Sequence, residues 1–203
     1  MAQGQAVIRP LDKPGDLGWV VMAHGEVYSA EFGWDTSLEA LIARIVADYA
    51  AGHDPDREAA WIAELDGRRV GCVFCVAADE QTAQLRILLV YPTARGHRLG
   101  TGLVDTCIHF ARHAGYERMR LWTNDPLLAA RRIYLAAGFT LVAEQPHHSF
   151  GVDLVGQTYE LDLHTPPGPL QTATGGPRSI RGARSVTRPG STRSDGSPGS
   201  SRR

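Results

Sequence analysis

A mixed α/β chain of the α+β kind is what this sequence predicts, with a central, mostly antiparallel sheet flanked by about four helices. Three observations carry that expectation. Two strand-like runs, 59–65 and 69–77, meet at Asp66-Gly67, a dipeptide suited to the left-handed backbone of a tight hairpin turn. A third run, 82–90, extends them into a meander. Two helical patterns precede the meander, and a Gly-rich loop opening a third helical pattern follows it.

Taken in order, Gln5 to Leu11 alternates weakly and reads as a first strand. Gly15 to Phe32 reads as a helix, with Leu17, Val20, Val21, His24, Val27 and Tyr28 near helical spacing. Thr36 with Glu39 three residues later reads as a capping box. Beyond it, Leu38, Leu41, Ile42, Ile45, Val46 and Tyr49 fall on one helical face. The Gly-rich loop after Val90 opens a helix that runs to about His113 and ends at Gly115. Glu117 to Thr123 is a strand. Asp125-Pro126 reads as an N-cap followed by proline at the first helical position, starting a helix that runs to Ala137. Phe139 to Glu144 and Thr158 to Leu163 are the last two strands, with a loop between them that carries His147, His148 and Phe150.

Length and composition bound the function. A chain of 203 residues has room for a substantial core. No apolar run is long enough to span a bilayer, so no membrane partner is expected. The start, Met-Ala-Gln-Gly-Gln, has no basic segment followed by an apolar one, so export is not expected. Three cysteines argue for a reducing compartment, and the expected location is cytoplasmic. Residues 1–165 hold 14 basic and 21 acidic side chains, a net −7. That disfavours nucleic acid as a specific partner and suits a cationic substrate. Residues 166–203 hold seven arginines against Asp195, with Pro, Gly, Ser and Thr and almost no large apolar residue. Such a segment cannot bury enough surface to offset its ordering entropy, so it is expected to be a disordered tail beyond a folded domain at 1–165.

The loop at 91–102 is the chemically informative stretch. A strand, a Gly-rich loop and a helix start leave backbone N–H groups unpaired beside a positive dipole end, a seat for phosphate. The spacing of Gly96, Gly100 and Gly102 is not that of a dinucleotide-binding fingerprint, and the Gly-Lys-Ser/Thr of a P-loop is absent. Arg95-Gly96-His97-Arg98-Leu99-Gly100 resembles the R/Q-x-x-G-x-G/A loop of the GNAT N-acetyltransferases, with Arg98 in place of the family's middle glycine. A side chain is bearable there only if the backbone does not need positive φ. Arg132-Ile133-Tyr134-Leu135-Ala136-Ala137-Gly138-Phe139 is similar to the family's Y-x-x-x-G-F segment, and the element order from 5 to 163 is that of the GNAT fold. Gly18-Trp19-Val20-Val21, Leu121-Trp122-Thr123-Asn124-Asp125 and Pro146-His147-His148-Ser149-Phe150-Gly151 resemble more narrowly the acetyltransferase domain fused to MarR-type regulators. No helix-turn-helix domain precedes it in this sequence.

The resemblance implies transfer of acetyl from acetyl-CoA, as co-substrate and without a metal, to a small-molecule or protein amine in a ternary complex. By position, the backbone of Leu88, Leu89 and Val90 would hold the pantetheine arm and stabilise a developing oxyanion. Arg95 and Arg98, with the amides from Gly96 through His97, Leu99 and Gly100 to Thr101, would hold the phosphates. Tyr134 would give a proton or hydrogen bond to the departing thiolate. Asn124 either contacts the cofactor or terminates its strand. The amine must lose a proton; Glu31 is the candidate base carried forward, with Glu26, His147 and His148 as open alternatives. The resemblance leaves room for a homodimer. A second reading on the same fold is a CoA-sensing or interaction protein without turnover.

Two further patterns are read as structural. Cys72 and Cys75 spell C-x-x-C but are expected on opposite faces of one strand. Asp105, His109 and His113 share a helix face opposite Leu103, Val104, Cys107, Ile108 and Ala111, which suits a solvated face better than a metal site.

Overall fold

The computed structural model describes residues 5–164. The tail expected at 166–203 lies outside the described residues. Strand β1 (Ala6–Pro10) leads into helices α1 (Asp16–Phe32) and α2 (Thr36–Gly52), then strands β2 (Ala59–Leu65), β3 (Arg68–Ala77) and β4 (Thr82–Val90). A 3-10 turn (Pro92–Ala94) precedes α3 (Leu99–His113), β5 (Arg118–Asn124), α4 (Leu128–Ala136), β6 (Thr140–Ser149) and β7 (Val152–Asp162). The strands form one seven-stranded sheet in the order β1-β2-β3-β4-β5-β7-β6. Only β4 and β5 pair in parallel; every other neighbour is antiparallel. The expected mixed, mostly antiparallel sheet is therefore present.

The β2–β3 turn is the one the sequence calls for, with Asp66 at φ 51° and Gly67 at φ 74°. Helices cover both faces of the sheet. Val20, Val27, Leu38 and Ile42 of α1 and α2 pack on Ile62, Cys72 and Phe74. Leu103, Val104 and Cys107 of α3 pack on the other face with Val73, Cys75 and Leu85. Cys72 and Cys75 thus lie in different cores, and all three cysteines are free and buried. Each large apolar side chain taken from water here contributes about 2 kcal/mol. The start of α1 is tied to the sheet by Asp16, whose buried carboxylate meets Arg9 at 2.7 Å and Arg69 at 2.9 Å.

Three expectations about element ends are corrected. The N-cap of α2 is Asp35, not Thr36: the Asp35 carboxylate accepts from the Ser37 N–H at 2.9 Å. Glu39 then sits too far along to close a capping box, and its side chain lies instead over Gly25 of α1. The N-cap of α4 is Leu127, not Asp125. Asp125 accepts from the Val155 N–H at 2.9 Å, so it fastens the strand end to β7 instead.

The largest correction is at 145–157. The expected loop is two long strands closed by a two-residue turn, Phe150 at φ 57° and Gly151 at φ 80°. His147 and His148 are strand residues paired with Leu154 and Asp153. No residue of β6 is buried, so this edge strand has no apolar alternation to read. Phe150 tolerates left-handed backbone because its ring is buried against Trp34, with centroids 4.9 Å apart.

Candidate active site

Two adjacent strands that part company create the site. β4 pairs with β5 only from Thr82 to Leu85, ending at Leu85↔Leu121. β4 continues along β3 as far as Gly71↔Val90. Its second half therefore presents an unpaired backbone edge. Between the Phe74↔Arg86 and Cys72↔Leu89 pairs the register slips, and Ile87 adopts φ 46°. A β-branched residue in that region is strained by roughly 1–3 kcal/mol, and the bulge re-aims the strand at the point where the sheet opens.

The opening is a cleft of about 700 Å³. Leu88, Leu89 and Val90 form its β4 wall; Leu128, Ala130 and Ile133 of α4 form an apolar wall opposite. At one end lie Arg95, Gly96 and Arg98, then Leu99, Gly100 and Thr101 of α3. The first intrahelical bond of α3 runs from the Gly102 N–H to the Arg98 carbonyl at 3.0 Å. The amides of Leu99, Gly100 and Thr101 therefore have no acceptor within the helix, and no side chain caps them. An anion placed there meets three N–H groups, a helix dipole and two arginines. Of the loop residues expected at this seat, His97 is exposed and does not line the cleft.

The loop's departure from the family pattern is resolved against the sequence expectation. Arg98 does need positive φ: it sits at φ 59°, ψ 13° as the N-cap of α3. The loop keeps the left-handed turn and carries the strain, on the order of 1–2 kcal/mol for a non-glycine residue. Gly96, at φ 89° with open space around it, serves the backbone conformation. Gly100 serves contact instead, since a Cβ there would meet the Ile133 Cδ1 at 2.7 Å. Its part is helix–helix approach as much as access for a ligand.

A smaller space of about 120 Å³ adjoins the cleft and shares Tyr28, Leu88 and Leu127 with it. Tyr134 lines it, 5% exposed, its ring in contact with Phe139 and Tyr159. Burial pushes the Tyr134 phenol well above its ordinary pKa, so it stays protonated. Asn124 lines the same space and is held from behind: His147 Nε2 lies 2.9 Å from its Oδ1, and His147 Nδ1 lies 2.9 Å from the Ser149 hydroxyl. Trp34, Trp122 and Phe150 supply aromatic walls.

Of the candidate bases, Glu31 alone lines either space; among the described residues it is the only carboxylate that does. It is bonded to Arg95 at 2.8 Å. Glu26 accepts from the Tyr91 hydroxyl at 3.0 Å, and His148 pairs with Asp153 at 2.7 Å. Among the described residues, no group of three or more His, Cys, Asp or Glu side chains is placed to hold a metal. Sequence reading passed over two residues that line the smaller space, His24 and Arg86. His24 fell within an apolar helical pattern, and Arg86 within a strand whose bulge breaks its alternation.

A splayed parallel pair, a bulge at the splay and a Gly-rich helix start are joined by agreement over most of the folded part. The acetyltransferase (GNAT) family model matches residues 22–139. This chain belongs to that family. Among relatives, the chain is similar to "Probable N-acetyltransferase camello" of Xenopus laevis, 37% identical over 95 residues, 45% of this chain and 43% of that one. It is also similar to the mycothiol acetyltransferase of Sanguibacter keddieii, 39% identical over 85 residues, 39% of this chain and 27% of that one. The match thus spans under half the length of these curated relatives. The GNAT architecture is shared with the yncA protein of Salmonella typhimurium, solved with its cofactor acetyl-CoA. That likeness has TM-score 0.63 and 20% identity over 81% of this chain and 98% of that one. The ribosomal-protein-alanine N-acetyltransferase of Brucella melitensis gives TM-score 0.63 at 17% identity, over 77% of this chain and 99% of that one. No helix of the described GNAT domain is long and apolar enough to cross a membrane.

Proposed function

We propose that this chain is an acetyl-CoA-dependent N-acetyltransferase acting on a primary amine by direct attack in a ternary complex. One observation carries the reading. The cleft between β4 and α4 joins an anion seat, made by the free amides of α3 with Arg95 and Arg98, to an apolar channel that adjoins the smaller space lined by Tyr134. Its residues fit the cofactor chemically, with donors and positive charge at the phosphate end and Leu88, Val90, Leu128 and Ile133 along an apolar arm. The turn at Arg98 is formed despite the missing glycine, which supports cofactor binding at this loop.

Acetyl-CoA held along Leu88, Leu89 and Val90 would supply a thioester whose carbonyl carbon an amine could bond as the C–S bond breaks, with the thiol as leaving group. The chain's own residues do the rest. Backbone donors on the unpaired edge of β4 stabilise developing oxyanion charge. Tyr134, kept protonated by burial, is the donor toward sulfur. Glu31 takes the proton that the amine loses, through water, as the carboxylate lining the cleft. Asn124, with its Oδ1 facing His147, directs its remaining amide group at the smaller space. Closer kinship with the domain fused to MarR-type regulators rests on the three sequence segments that resemble it.

Calorimetric titration of acetyl-CoA into the full chain, beside a thiol-release assay over a panel of amines, tests the proposal. Binding to the wild type, weakened at least about tenfold in Arg95→Ala/Arg98→Ala, is expected. Absence of acetyl-CoA binding to the wild type would overturn it.

A further inference from the structure

The charge inside the smaller space is opposite to that of the domain as a whole. Its lining contains Arg86 and no aspartate or glutamate. Arg86 stands on β4 opposite Phe74, one residue before the strained Ile87, and is half-buried. Among the described residues it makes no hydrogen bond and no ion pair; Asp48 of α2 is the charged group that faces it, attracting without contact. A guanidinium withdrawn from water without a partner is costly, and its planar donor fork matches a carboxylate.

A second unmet polar atom lines the same space. His24 is buried, its Nδ1 lies 2.7 Å from the Val20 carbonyl, and among the described residues its Nε2 completes no hydrogen bond, although the Ile87 carbonyl also acts on the ring. With the proton on Nδ1, Nε2 is an acceptor, which an N–H donor would satisfy. Gln84, Thr123 and Asn124 are the other polar residues of the lining, neutral and without a charge to offer; the rest of it is apolar or aromatic, including Tyr28, Trp34, Ile42 and Phe150. Tyr28 and Trp34 stack with centroids 5.1 Å apart.

Resting on the acetyltransferase reading, we infer that the acceptor is a small amine bearing a carboxylate and an apolar body, an amino acid with an apolar side chain. The carboxylate pairs with Arg86 and the side chain lies on the aromatic wall. The amine lies toward Leu88 and Tyr134, where the two spaces meet. A polyamine or aminoglycoside would find one arginine here and no carboxylate to pair with. The net negative charge of the domain, which from sequence suits a cationic substrate, is carried elsewhere.

The test uses the full chain and two readouts. At saturating acetyl-CoA, thiol release is compared for L-leucine, L-leucinamide, spermidine and kanamycin. Separately, calorimetry compares binding of N-acetyl-L-leucine and its amide to the CoA-loaded protein, which needs no turnover. Leucine is expected to exceed leucinamide at least about 30-fold in kcat/KM, as a charge-assisted pair provides. Arg86→Gln should shrink that ratio to about threefold or less, with Arg86→Lys intermediate and acetyl-CoA affinity unchanged. Preference for spermidine or kanamycin, or equal binding of acid and amide by the wild type, would overturn the inference. Carboxylate-dependent binding without thiol release would uphold it and sink the catalytic reading instead. Loss of acetyl-CoA binding in Arg86→Gln would overturn a role confined to the acceptor.

Discussion

Arg95 and Glu31 are bonded to each other at 2.8 Å across the mouth of the cleft, joining the Gly-rich loop to the last turn of α1. Both side chains are partly exposed, so the pair is worth roughly 1 kcal/mol or less. A phosphate can therefore draw Arg95 away at little cost. Glu31→Gln is expected to tighten acetyl-CoA binding several-fold by freeing Arg95, and to lower kcat about tenfold by removing the proposed proton acceptor. Calorimetry and steady-state kinetics on one preparation separate the two effects. Weaker acetyl-CoA binding in this variant would mean that the pair shapes the seat and does not compete with it.

Arg98→Gly should stabilise the protein. The residue occupies left-handed backbone at φ 59°, where glycine has no Cβ penalty. Net of the extra chain entropy of glycine, the gain is about 1 kcal/mol, or roughly 2–4 °C in melting temperature for a domain of this size. Acetyl-CoA affinity should drop only a few-fold, since Arg95 and the α3 amides remain. Thermal denaturation reads the first effect, and a melting temperature unchanged or lowered would refute the strain argument.

Tyr134→Phe keeps the ring packed on Phe139 and Tyr159 and removes only the hydroxyl. Acetyl-CoA affinity is expected within about threefold of wild type, while kcat falls on the order of 10²-fold. Because burial raises the phenol's pKa, the wild type should show no loss of kcat from tyrosine ionisation up to pH about 10. A variant with wild-type kcat would make Tyr134 a packing residue.

His24 sets an acid limit on stability. Burial lowers its pKa from 6.5 to about 4, against the opposing pull of the Val20 and Ile87 carbonyls. The unfolded chain therefore binds a proton that the folded chain refuses between pH about 6.5 and 4. Stability is full above that window and declines through it as pH falls, by about 3 kcal/mol in total. Urea unfolding at a series of pH values should show that slope, and His24→Leu should flatten it whatever its own starting stability. An unchanged slope in the variant would assign the acid sensitivity to the carboxylates.

Legibility from sequence followed how local each feature is. The Asp66-Gly67 turn, the amphipathic face of α2 and the Gly-rich loop before α3 are set by neighbours within a few residues, and their periodicity or turn chemistry can be read directly. The second half of β6, 145–149, could not be read, because an exposed edge strand carries no buried face and its Pro146 is tolerated only at an edge. The caps of α2 and α4 were misplaced by one or two residues because Asp35 and Asp125 compete with their neighbours for backbone donors. Asp125 chose one on β7, 30 residues away.

The site divides in the same way. From the order of residues alone came the element sequence, the family resemblance, the Gly-rich loop as candidate phosphate seat and Tyr134 as candidate donor, each read from contiguous residues. Tertiary structure alone decided that Glu31 faces Arg95, 64 residues away, and that His147 holds Asn124 from behind. It also set Arg98 in left-handed backbone and, among the described residues, left Arg86 without a partner in a space free of carboxylates. The physical reason is that charge acts over ångströms and not over sequence. A net −7 across the domain says nothing of the sign within one small space, which depends on which few side chains the fold turns toward it.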